Sequence, residues 1–84
     1  MPYIRLSRRE VLDPLLEPLA AHIEDEGELN YAFTVLAKRF LPAGARYANL
    51  NTAMGVFLCA ALEFYREDVV PYEDVKMKEN GRVL

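Results

Sequence analysis

The chain has 84 residues, 52% of them hydrophobic and 27% charged, with a formal net charge of −3. That length holds one domain, residues 1–84, and no second core. The apolar content excludes a disordered chain, and the lack of a basic excess argues against nucleic-acid binding, which depends on neutralising phosphates.

The predicted elements are all helical. Ser7-Arg8-Arg9-Glu10 has the spacing of a capping box, with Leu6 and Val11 placed as its hydrophobic staple, so the first helix is expected to begin near Arg8. Asp13-Pro14 interrupts or restarts it, since proline suits the first position of a helix. Leu12, Leu15, Leu16, Leu19, Ala20 and Ile23 recur at three- and four-residue spacing as one apolar stripe. Pro18 falls in the first turns after the restart, and Gly27 reads as the left-handed cap that ends the helix. A second helix is expected from Glu28 to Leu41, burying Leu29, Phe33, Leu36, Ala37 and Phe40. Lys38 and Arg39 lie in its last turn, where cations suit the helix dipole. Pro42-Ala43-Gly44 is the clearest loop. Asn49 or Asn51 caps the third helix, which runs to about Val70. Val70-Pro71 breaks or kinks it, and a short fourth helix follows Pro71 and ends at Asn80-Gly81.

Within the third helix, Ala53-Met54-Gly55-Val56-Phe57-Leu58-Cys59-Ala60-Ala61-Leu62 has no polar position. A helix apolar all round must be covered on every side, and a chain this short, which buries only about 60–65% of its unfolded surface, has few elements to cover it. Part of the cover is therefore expected from a second copy. Met54, Leu58, Leu62 and Tyr65 line one face, and Gly55 and Cys59, small and four residues apart, allow close approach of a partner helix. Tyr72, beyond the Pro71 break, completes the candidate interface, because tyrosine tolerates a half-buried position. A symmetric dimer burying about 1,200 Å² or more in total is the expected form. The single cysteine, Cys59, has no intrachain partner and reads as a packed small hydrophobe in a reducing compartment. The apolar run is too short to span a bilayer. Met1-Pro2-Tyr3-Ile4-Arg5 turns polar too soon for a signal peptide. A soluble cytoplasmic protein is the expectation.

Motifs that carry chemistry are sparse. Glu24-Asp25-Glu26-Gly27-Glu28 reads as a solvated turn at the end of the first helix. With Gly27 at the required glycine of a calcium loop, Phe33 stands where the bidentate glutamate belongs. His22 has no second histidine or nearby cysteine to make a zinc motif. Glu63, Glu67, Asp68, Glu73 and Asp74 form a second acidic set, with Glu63 and Glu67 on one face. Small all-helical nucleotide pyrophosphohydrolases hold magnesium between acidic residues of adjacent helices, but their paired Glu-x-x-Glu and Glu-x-x-Asp signatures are missing, and the second helix offers only Glu28. Surface ion pairing, as between Glu63 and Arg66, is the simpler reading. Arg5, Arg8 and Arg9 stand at the start of the first helix, where cations are disfavoured. They either reach into water or meet an anionic partner, the acidic run of a neighbouring copy included. A helix-turn-helix is disfavoured, because the turn from Pro42 to Ala48 is long and the would-be recognition helix is apolar.

Six blocks read together resemble a known pattern: Met1-Pro2-Tyr3-Ile4, Leu12-Asp13-Pro14, Gly27-Glu28-Leu29-Asn30-Tyr31, Tyr47-Ala48-Asn49-Leu50-Asn51, Glu63-Phe64-Tyr65-Arg66 and Pro71-Tyr72-Glu73-Asp74. The pattern is similar to a family of short bacterial and phage-encoded proteins classed only as a domain of unknown function. The resemblance covers nearly the whole chain and implies no activity.

The expectation is thus an all-α, compact bundle of three main helices plus a short C-terminal helix after Pro71, with helix 3 central. Its function class is a small non-enzymatic homo-oligomeric assembly or regulatory protein, with no cofactor, catalytic residue or metal site assigned and with another copy of itself as partner. The alternative is a metal-dependent all-α hydrolase of the nucleotide pyrophosphohydrolase kind.

Overall fold

A computed structural model describes residues 2–84. They form α1 (Leu6–His22), α2 (Glu26–Phe40), α3 (Tyr47–Phe64), a π-helical turn (Tyr65–Val69) and α4 (Val70–Asn80). No strand occurs among the described residues. The described residues divide into two units, Tyr3–Ala53 and Met54–Leu84, with Pro2 grouped with the second.

In the first unit, α1 begins before Ser7. Arg5 occupies the N-cap position with extended backbone and no side-chain cap. Its carbonyl accepts from the Arg8 and Arg9 amides at 3.0 and 3.2 Å. The Ser7–Glu10 capping box therefore does not form, because Ser7 is already inside the first turn and a box must start from the residue outside it. The Arg9 guanidinium instead donates through Nε to the Ile4 carbonyl at 3.0 Å.

Nor does Asp13-Pro14 break the helix: Pro14 and Pro18 both lie inside α1. Each proline removes one amide donor, at the expense of the carbonyls of Glu10 and Pro14. The two losses are four residues apart, so they fall on one side of the helix, where Glu10, Pro14 and Pro18 are exposed. α1 stops at His22. Its ring Nδ1 lies 2.7 Å from the Pro18 carbonyl, and Ile23, in extended backbone, donates to Ala20 at 3.2 Å.

Gly27 is not the end of α1 but part of the first turn of α2. The acidic run opens α2. Asp25 is its N-cap and accepts from the Glu28 amide at 2.8 Å, while the Glu28 carboxylate reaches back to the Glu24 amide at 2.9 Å. These are the reciprocal bonds of a capping box displaced by one residue at the return arm. Negative charge that would be unfavourable at the end of one helix is favourable at the start of the next. At the other end, Lys38 and Arg39 occupy the last turn, as expected.

The loop after α2 carries Gly44 at φ +69°. α3 then starts from Arg46, whose carbonyl accepts from the amides of Asn49 and Leu50 at 2.9 and 3.1 Å. Neither asparagine is the N-cap as expected: both lie inside α3, and Asn49 reaches back through Oδ1 to accept from the Arg46 amide at 2.9 Å.

Pro71 was expected to break or kink the third helix. In the second unit the α-helical path is interrupted ahead of it: α3 ends at Phe64, a π turn follows, and α4 starts at Val70. The Val70 amide donates to the Tyr65 carbonyl, five residues back. A proline ring clashes with the carbonyl four residues before it, here Glu67. Opening the preceding turn by one residue moves that carbonyl aside. Pro71 then sits in the first turn of α4, where its missing amide has the least effect. α4 ends where expected, at Gly81 with φ +87°, whose amide donates to the Met77 carbonyl at 2.8 Å.

No described residue is buried; every one is exposed or half-buried. Among the described residues, no helix is long and apolar enough to cross a membrane.

Candidate interface on helix α3

The apolar run of α3 is helical throughout, so its side chains point in every direction around the axis. At 3.6 residues per turn, Met54, Leu58, Ala61, Leu62 and Tyr65 project to one side, with Gly55 and Cys59 at its margin. Val56, Ala60 and Phe64 project to the other. Both sides are open. Met54, Leu58 and Leu62 are 66%, 62% and 61% exposed on the first; Val56 and Phe64 are 61% and 63% exposed on the second. Cys59, expected to be packed, is also exposed. At Gly55 an added Cβ would meet nothing within 4 Å, so no contact within the chain requires glycine there. Met54, Gly55, Phe57 and Leu58 line a shallow apolar hollow around the missing side chain. Tyr72 lies on α4 and is exposed, with the Lys76 ammonium 5.7 Å from its ring centroid.

The acidic residues beside this surface serve other roles. Arg66 lies between Glu63 and Glu67. Its guanidinium donates to both oxygens of Glu63, at 2.5 and 3.3 Å, and to Glu67 at 3.2 Å. This geometry sets one positive charge between the two carboxylates that share a face and offsets half of their charge. The exposed Arg66–Glu67 pair contributes about 0–1 kcal/mol. Glu28 is occupied in the α2 cap, and His22 at the end of α1. Among the described residues, no three His, Cys, Asp or Glu side chains converge as a metal-binding group. A second shallow hollow lies along one side of α2, lined by Glu26, Gly27, Asn30, Tyr31 and Thr34. Thr34 Oγ1 donates to the Asn30 carbonyl at 2.9 Å there, so its hydroxyl is held within the helix.

Sequence reasoning located the apolar run and its small residues. It missed the π turn, for which the signal was Pro71 four residues after Glu67 in an otherwise uninterrupted helical pattern.

No curated protein and no solved structure matches the chain. A family model does match, over residues 1–83, and the chain belongs to that family, described as Domain of unknown function (DUF6899).

Proposed function

We propose that the protein is a non-enzymatic, self-associating helical protein of the cytoplasm, with an assembly or regulatory role, and that α3 is the centre of its interface. The observation that carries this reading is the exposure of residues 54–62 on every side of α3. Soluble monomers rarely expose contiguous apolar patches of more than a few hundred Å². A second copy is the occupant that a uniformly apolar helix fits, because a twofold axis across α3 sets the same patch against itself. The missing side chain at Gly55 and the small Cys59 let two helix axes approach closely. The compact bundle, with the chain as one domain and α3 at its centre, is completed in this reading by the partner copy.

Sedimentation of the full chain at micromolar concentration tests the proposal. A mass of at least two chains is expected, and Leu58→Glu should abolish that association step. A single species at the monomer mass of 9.6 kDa would refute it.

A further inference from the structure

The α3 surface is not the only one with a self-complementary pattern. In α1, Leu12, Leu15, Leu16 and Leu19 fall on one side of the helix at 3.6 residues per turn. They are 36%, 66%, 47% and 40% exposed, and α2 does not pack along them. Because α1 is one unbroken helix from Leu6 to His22, the same side continues without a change of register to Arg8 and Arg9 in its first turns, with Arg5 at its N-cap. The corner that follows carries Glu24, Asp25 and Glu26. Pro14 and Pro18 lie on the opposite side, where their lost hydrogen bonds do not concern this surface. The side therefore has three parts: cations at one end, leucines in the middle and carboxylates at the other.

We infer that α1 pairs antiparallel with α1 of a second copy, through a twofold axis between Leu15 and Leu16. In that register Leu15 faces Leu16 and Leu12 faces Leu19, and the Arg5, Arg8 and Arg9 end of each copy lies against the other's corner, which carries Glu24, Asp25 and Glu26. The arginine end of each copy lies on the acidic corner of the other, so the charge contact is made twice. A parallel pairing would set arginine on arginine and carboxylate on carboxylate. Like charges opposed in this way are costly, and the charges thus select orientation while the leucines supply the apolar contact. The pairing also accounts for cations at the positive end of α1, where a free helix would favour acids. This surface is separate from the α3 patch and does not depend on it.

The test uses two full-length variants. Arg5→Glu with Arg8→Glu makes both ends of α1 acidic. Glu24→Lys with Glu26→Lys makes both ends basic and leaves the Asp25 cap in place. Each variant alone should lose at least tenfold in one association step, and its limiting mass in sedimentation should halve relative to the wild type. Mixed one to one, the two should recover the wild-type mass as a mixed assembly, because the acidic helix start of one then faces the basic corner of the other. Retention of the wild-type mass by either variant alone would overturn the inference. So would a mixture that sediments no larger than its separate components. Circular dichroism of each variant checks that α1 is still helical, which the new glutamates at its positive end favour. Leu58→Glu separates this result from the α3 proposal, since no charge-reversed partner restores its loss.

Discussion

Replacing Gly55 by alanine separates a free α3 surface from a covered one, because the two cases give effects of opposite sign. Glycine in a helix interior costs about 0.8–1.0 kcal/mol relative to alanine. In the single chain the added Cβ meets nothing within 4 Å, so no steric term offsets this gain. A monomer with an open α3 should be stabilised by about 1 kcal/mol, which for a chain of this size raises the melting temperature by about 4–8 °C. With a second helix seated on Gly55, the same methyl group enters a packed contact from both copies. Overpacking costs about 1–3 kcal/mol. The propensity gain accrues to α3 in the free and the associated chain alike and cancels from the dissociation constant, leaving the steric cost. At about 1.4 kcal/mol per factor of ten, the dissociation constant should rise about fivefold to a hundredfold. Sedimentation equilibrium gives that constant, and thermal denaturation at low concentration gives the stability of the free chain. The expected result is weaker association together with a free chain at least as stable as the wild type. Unchanged or tighter association with a raised melting temperature would refute the close approach of a partner at Gly55.

Three further outcomes follow from the helix ends. Asp25→Ala removes the acceptor for the Glu28 amide and should destabilise the chain by about 1 kcal/mol in chemical denaturation. Ser7→Ala should change the denaturation midpoint by less than about 0.5 kcal/mol in equivalent stability, since Ser7 caps nothing and surface substitutions outside special features are usually within that range. Pro71→Ala supplies the missing amide and removes the ring that opens the preceding turn. Nuclear magnetic resonance should then show carbon shifts at 65–69 moving to ordinary α-helical values, with the new amide protected from exchange. Shifts unchanged from the wild type would show that proline is not the cause of the π turn.

The helices themselves were legible in the sequence wherever apolar spacing and special residues agreed. The loop at Pro42-Ala43-Gly44 and the stop at Gly81 rest on glycines that do adopt positive φ. The errors arose where two local signals competed. Ser7-Arg8-Arg9-Glu10 and Asp25-Glu26-Gly27-Glu28 both have capping-box spacing, and only the second forms, because Asp25 stands outside its helix whereas Ser7 lies within one. Gly27 looked like a terminator because glycine often follows a helix, but the extended backbone at Ile23 had already ended α1. Pro14 was read as an interruption or restart on local cost alone. Pro14 and Pro18 are accommodated on an exposed side and Pro71 by a wider turn, and neither solution has a pattern that periodicity detects. The candidate interface was legible as composition, the run from Ala53 to Leu62, because a helix without polar positions offers no side for solvent.

The π turn has a consequence for how far that interface can extend. Leu58, Tyr65 and Tyr72 are spaced by seven residues, the interval that keeps side chains in line along a seam between two helices. The widened turn over Tyr65–Val69 takes up one residue more than an α-helical path would. Everything beyond it is rotated by about 100°, one residue's share of a helical turn. Tyr72 therefore leaves the line that Leu58 and Tyr65 define, and the heptad is present in the sequence but out of phase in space. A partner helix lying straight along α3 loses contact after Tyr65, and the side chains of α4 address a different direction. Converting this turn to α-helix by Pro71→Ala, with every residue kept, would bring the two halves into phase, turning a short contact into a continuous seam from Met54 to beyond Tyr72.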